Sequence, residues 1–124
     1  MAAVLIVDDD DPIRTLVCRV LTREGHAVTA ARHGGEAIEC LSKRNFDALV
    51  LDVMMPATNG AEVLAFMRRE RKWTPTILLT AVHEREIAAL DTDGVHAIVR
   101  KPFDINVLCN AVATCVPTGD SLVR

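Results

Sequence analysis

Four consecutive aspartates, Asp8 to Asp11, follow the apolar run in "VLIVDDDDPIR" at residues 4–14. Carboxylates side by side repel one another, so a fold keeps such a cluster only where something cationic or structural compensates it. Other polar residues stand just past short β-rich runs elsewhere: Asp52, Thr80, and Lys101 with Pro102 behind it. Gathered at one edge, Asp8, Asp9, Asp52, Thr80 and Lys101 would present three carboxylates, a hydroxyl and an ammonium. Three anions in a shallow cleft require a cation. Oxygen-only donors suit a hard ion such as Mg²⁺, which keeps some of its waters and takes one or two carboxylates plus a phosphate oxygen. A phosphate beside Asp52 would spread its charge over the metal, the Thr80 hydroxyl and Lys101, which is equipment for phosphoryl transfer.

The elements needed to bring these residues together are visible in the hydrophobic pattern. Apolar β-rich runs occur at Val4 to Val7, Ala27 to Ala30, Ala48 to Leu51, Thr76 to Leu79 and Ala97 to Val99. Between them lie helix-period stretches carried by Ile13, Leu16, Val17, Val20 and Leu21; by Ala37, Ile38 and Leu41; by Val63, Leu64 and Met67; by Ile87 and its neighbours; and by Ile105, Leu108, Val112 and Val116. Five strands alternating with five helices predict an α/β fold, a parallel sheet covered on both faces, with the flavodoxin-like doubly wound (βα)5 order 2-1-3-4-5 as the natural candidate. In that architecture ligands bind beyond the carboxyl ends of the strands, at the switch between strands 1 and 3, where Asp8, Asp9 and Asp52 fall. Turn signals are expected at Gly25, Gly34-Gly35, Asn59-Gly60 and Gly94.

Size and charge narrow the alternatives. The 124 residues suit one domain, residues 1–116, followed by a tail or linker at 117–124 with little to bury. A net charge of −3 without a dominant basic stripe argues against direct nucleic-acid binding. The apolar N-terminal run is too short for a signal sequence or a membrane span, so the chain reads as soluble and cytoplasmic with no membrane partner. Its four cysteines, Cys18, Cys40, Cys109 and Cys115, lack metal-type spacing and fall in helix-like segments, which points to reduced thiols.

The sequence resembles the response-regulator receiver domain of the chemotaxis-regulator type. The matching stretches are "VLIVDDDDPIR", "ALVLDVMMPATNG", "TILLTA" and "GVHAIVRKPF", in order across residues 4–103. The resemblance implies that Asp52 is the phosphoacceptor, Asp9 a direct metal ligand and Asp8 a ligand through water. Met54 would lend its backbone carbonyl to Mg²⁺, Thr80 and Lys101 would contact the phosphoryl group, and Ala81 would leave room for the donor. It implies a histidine kinase or histidine phosphotransfer protein as donor. It also implies a downstream effector or output domain reached through the fourth helix, fifth strand and fifth helix, and a phosphorylation-dependent homodimer as a further partner. Relatives place a Tyr or Phe three residues before the lysine as a rotameric switch; Ile98 stands there, and the chain has no tyrosine. They also hold the hydrolytic water with polar side chains at the positions of Met54 and Val82, so the resemblance implies a slow autophosphatase.

Plainer roles account for much of the remainder. Asp11, before Pro12, is expected to cap the first helix, and Asp10 to be solvated. His26, His33, His83 and His96 show no ligand spacing and suit surface or loop roles. The run "RRERK", Arg68 to Lys72, suits the negative end of the third helix, and Trp73 suits packing at the edge opposite the site. Two rival functions remain. A haloacid-dehalogenase-type phosphatase would use Asp8 and Asp10 but leaves "DVMMPATNG" unexplained and lacks a later acidic pair. A pseudo-receiver that binds partners without taking phosphate would not need the full Asp, Thr and Lys set.

Overall fold

The computed structural model describes residues 2–52, 60–72, 74–80, 95–100 and 104–115. Along the chain run β1 (Ala3–Val7), α1 (Asp11–Arg23), β2 (Ala27–Ala31), α2 (Gly34–Lys43), β3 (Ala48–Asp52), α3 (Gly60–Arg69), β4 (Thr76–Thr80), β5 (Val95–Arg100) and α4 (Ile105–Cys115). The last helix, α4, is the fifth of the helices expected from the sequence; the stretch around Ile87 expected to form the fourth lies outside the described residues. All five strands are parallel in the order β2-β1-β3-β4-β5, as the alternation of strand and helix patterns predicted.

Period-two alternation sorts the core into two layers. On β1 and β3, Leu5, Val7, Leu49 and Leu51 pack toward α2 and α3, meeting Ala37, Leu41, Val63 and Met67. Their neighbours Val4, Ile6, Ala48 and Val50 face the other way, onto Val17 and Leu21 of α1 and Leu108 and Val112 of α4. A strand buried on both faces needs apolar residues at every position, which is why these strands read as continuous runs. Each fully buried Leu or Ile contributes roughly 1.5–3 kcal/mol of apolar burial. The sheet is thereby a rigid base for whatever its carboxyl edge carries.

One turn expectation needs correction. Gly25 does close α1: its φ is 97°, its N–H donates to Thr22 O at 3.0 Å, and His26 N–H donates to Leu21 O at 3.1 Å. Gly34 and Gly35, however, open α2. A glycine pair marks a turn only when no cap precedes it, and here the His33 ring supplies one, its Nδ1 accepting from Glu36 N–H at 3.2 Å. Gly60 begins α3, while its expected turn partner Asn59, like Gly94, lies outside the described residues.

Candidate functional site

Strand pairing brings the acidic residues together. Val7 of β1 is the register partner of Leu51 of β3, so Asp8 and Asp52 leave adjacent strands at the same level. Both are buried, Asp8 at 1% exposure and Asp52 at 4%, whereas Asp9 is exposed. One carboxylate oxygen from each of Asp8, Asp9 and Asp52 lies within 4.8 Å of the others. Two buried carboxylates with a third at the mouth are costly in a low-dielectric setting unless a cation shares the site.

The aspartate run is organised by hydrogen bonds rather than left to repel itself. Asp8 N–H donates to Ala31 O of β2 at 3.2 Å. Asp10 N–H donates to Asp8 Oδ1 at 2.9 Å, closing a tight turn over Asp9. The Asp10 side chain then accepts from Ile13 N–H at 3.0 Å, and its carbonyl accepts from Arg14 N–H at 2.9 Å. Asp10 is therefore the cap of α1, with Asp11 first and Pro12 second in the helix, one residue earlier than the sequence suggested. Proline is tolerated at either of the first helical positions because neither N–H has a helical partner, so it does not fix which aspartate is the cap. Asp11 instead pairs with the Arg14 guanidinium.

Thr80 ends β4, one residue beyond Leu79, the partner of Asp52, so its backbone stands at the same edge. Arg100 pairs with Thr80 and ends β5. Lys101, Met54, Ala81, Val82, His83 and Trp73, and the Thr80 side chain, lie outside the described residues. Ile98, where relatives place an aromatic ring, is on β5 and 42% exposed. One residue that the sequence reading passed over, Arg14, reaches back into the acidic loop; its signal was only a cation six residues after Asp8.

An oxygen-only set suits Mg²⁺. Octahedral Mg²⁺ holds its ligands at about 2.1 Å, which spaces them about 3 Å apart when adjacent and about 4 Å when opposite, and a carboxylate acting through a bound water stands farther off, so oxygens within 4.8 Å of one another on Asp8, Asp9 and Asp52 leave room for one ion among them.

The sequence model of the response regulator receiver domain matches residues 4–113. The chain belongs to the response regulator receiver domain family. Transcriptional regulatory protein TcrA of Mycobacterium tuberculosis is 42% identical over 108 residues, covering 85% of this chain and 42% of that protein. Transcriptional regulatory protein ResD of Bacillus subtilis is 46% identical over 101 residues, covering 81% of this chain and 42% of that protein. Among solved structures, response regulator protein TrrA from Thermotoga maritima, in complex with Mg(2+)-BeF, superposes with a TM-score of 0.84 at 32% identity, covering 94% of this chain and 100% of the other. The chain thus spans 42% of the length of these two curated relatives. It is a receiver domain of two-component signalling. No described helix is long and apolar enough to cross a membrane.

Proposed function

We propose that Asp52 is the phosphoacceptor of this receiver and that Asp9 and Asp52 with the Met54 backbone carbonyl hold Mg²⁺ directly, Asp8 acting through a bound water. The observation that carries the reading is the buried Asp52 carboxylate at the end of β3, within 4.8 Å of the oxygens of Asp8 and Asp9. Bound there, Mg²⁺ supplies positive charge against the oxygens of an incoming phosphoryl group. The chain's own groups do the rest. An Asp52 oxygen bonds to phosphorus as the phosphorus–nitrogen bond of a phosphohistidine breaks, the imidazole leaving with the electron pair. Thr80 and Lys101 take up charge on the remaining phosphoryl oxygens. The donor is a histidine kinase or histidine phosphotransfer protein.

Output passes to an effector or output domain through the segment around Ile87, β5 and α4, with Ile98 or backbone motion in place of an aromatic switch. In support, Ile98 and Val107 expose apolar surface there, at 42% and 53%, and α4 contains no charged residue. The same surface would serve a phosphorylation-dependent homodimer. Residues 1–116 form the receiver and 117–124 a tail or linker. Met54 and Val82 offer no side-chain hydrogen bond to an attacking water, so the acyl phosphate is long-lived; Met54→Asn with Val82→Glu should speed its loss about tenfold, roughly 1.4 kcal/mol of barrier. The deciding experiment is Mg²⁺-dependent labelling by acetyl phosphate. Asp52→Asn should abolish it, because an amide is a poor nucleophile. Undiminished labelling of that variant would refute Asp52 as acceptor, and no labelling of the wild type would favour the pseudo-receiver.

A further inference from the structure

We infer that Arg14 is a positioning residue for the metal site, setting the Asp8–Asp9 peptide so that the exposed Asp9 carboxylate points at the cation. The inference rests on the metal site proposed above. Arg14 Nη1 donates to the backbone carbonyl of Asp8 at 2.9 Å, and Nη2 pairs with the Asp11 carboxylate. Its side chain is only 14% exposed although Asp11, its partner, is 76% exposed. The guanidinium therefore lies under the loop rather than out in solvent.

Its target atom matters. The Asp8 carbonyl belongs to the peptide unit that leads into Asp9, so a bond to that oxygen fixes the plane from which Asp9 departs. On the near side, Asp8 N–H is held by Ala31 O; on the far side, Asp10 N–H is held by Asp8 Oδ1. Arg14 holds the carbonyl that lies between them. It does so through a backbone oxygen, leaving the Asp9 carboxylate available to the metal. The rigid fork of guanidinium can hold a carbonyl and a carboxylate at once, whereas an ammonium is a point charge on a flexible stem.

A nearby cation also has an opposite, purely electrostatic effect: it repels Mg²⁺. The two roles thus predict opposite changes when the Arg14 charge is removed, and a loss against no change when lysine keeps it. Mg²⁺ affinity should be measured by calorimetric titration of the wild type, Arg14→Lys, Arg14→Gln, Asp11→Asn and Asp9→Ala, with unfolding of each followed in EDTA. Arg14→Lys keeps the charge and the stem, and so tests geometry in a folded protein even where Arg14→Gln does not fold. Positioning predicts that Arg14→Lys and Arg14→Gln both bind Mg²⁺ about tenfold more weakly, the usual cost of losing an outer partner of a metal ligand. It also predicts that Asp11→Asn, which leaves the bond to the Asp8 carbonyl, stays near the wild type. Wild-type affinity in Arg14→Lys, or tighter binding in Arg14→Gln, would overturn the inference and leave Arg14 as a charge or a structural clamp. Unchanged affinity in Asp9→Ala would instead refute the metal site itself.

Discussion

Asp10 N–H donates to the Asp8 side chain at 2.9 Å, while the Asp10 side chain turns away to accept from Ile13 N–H at 3.0 Å. One residue thus serves the acidic site through its backbone and the helix through its carboxylate. Asp10→Ala keeps the first bond and loses the second. It should lower stability by about 0.5–2 kcal/mol, the usual value of a helix cap, with Mg²⁺ affinity little changed. Asp9→Ala should do the reverse, because Asp9 is exposed and caps nothing. Denaturant unfolding and Mg²⁺ titration of both variants check this crossed pattern; equal loss of affinity in the two would reassign the quartet.

Acid should weaken the start of the second helix through Glu36. Arg32 donates its backbone N–H to Glu36 Oε1 at 2.6 Å and its guanidinium Nη2 to Oε2 at 3.1 Å. The guanidinium bond and the backbone bond both favour the charged carboxylate and hold the Glu36 carboxyl below its ordinary value. A folded carboxyl with a depressed pKa stabilises the fold above the unfolded value, about 4.3, and that contribution disappears as pH falls through the folded one. Glu36→Gln should therefore be less stable than the wild type near neutrality and converge with it in acid. Unfolding midpoints followed from about pH 6 to about pH 3 measure the effect, which is small because the pair is exposed. A gap that persists unchanged in acid would show that the carboxylate does not contribute.

The sheet was legible because burial on both faces leaves continuous apolar runs, and strand order followed from the alternation. Asp8, Asp9 and Asp52 were legible because a parallel sheet delivers whatever follows its strands to one edge. Capping was misread at Asp11 because proline fits either of two helical positions, and the choice is made by which backbone is extended: Asp10 has φ −83° and ψ 109°. His33 escaped as a cap because an imidazole accepts only through one unprotonated nitrogen, which composition does not reveal. Arg14 escaped because its partner is a backbone carbonyl, and backbone partners leave no mark in a sequence.

The thiols should be poorly reactive. Burial pushes the Cys18, Cys109 and Cys115 thiols up, opposed at Cys18 by the nearby Arg14 charge and reinforced at Cys109 by Glu24. All four cysteines are free. Because the thiolate is the nucleophile, iodoacetamide near neutral pH should modify the half-buried Cys18, Cys109 and Cys115 more slowly in the native protein than in denaturant, as read by peptide mass mapping. Arg14→Gln should slow Cys18 further. Equal native and denatured rates at these positions would contradict the packing of α1 and α4 against the sheet.

Gly25 and Arg71 occupy the same place at the ends of two different helices. After α1, Gly25 has φ 97° and His26 N–H reaches Leu21 O; after α3, Arg71 has φ 55° and Lys72 N–H reaches Met67 O at 2.8 Å. Both are the left-handed closing residue of the same C-terminal motif, a position that costs an L side chain roughly 1–2 kcal/mol and glycine almost nothing. A Cβ added at Gly25 would meet nothing within 4 Å, so Gly25→Ala isolates that backbone cost and should destabilise by about 1 kcal/mol. Arg71→Gly should relieve it, offset in part by the greater freedom glycine gives the unfolded chain, for a net gain of roughly 0.5–1 kcal/mol. Arg71 also lines an open cleft of about 500 Å³ with Asn45, Asp47 and Lys72, at the end of the sheet away from Asp8, Asp9 and Asp52. Arg71→Ala therefore serves as the control: it removes the same cation but keeps the Cβ, and should gain nothing. Urea unfolding of the three variants decides the matter. Equal gains in Arg71→Gly and Arg71→Ala would assign the effect to charge among the cations at the end of α3 rather than to the backbone.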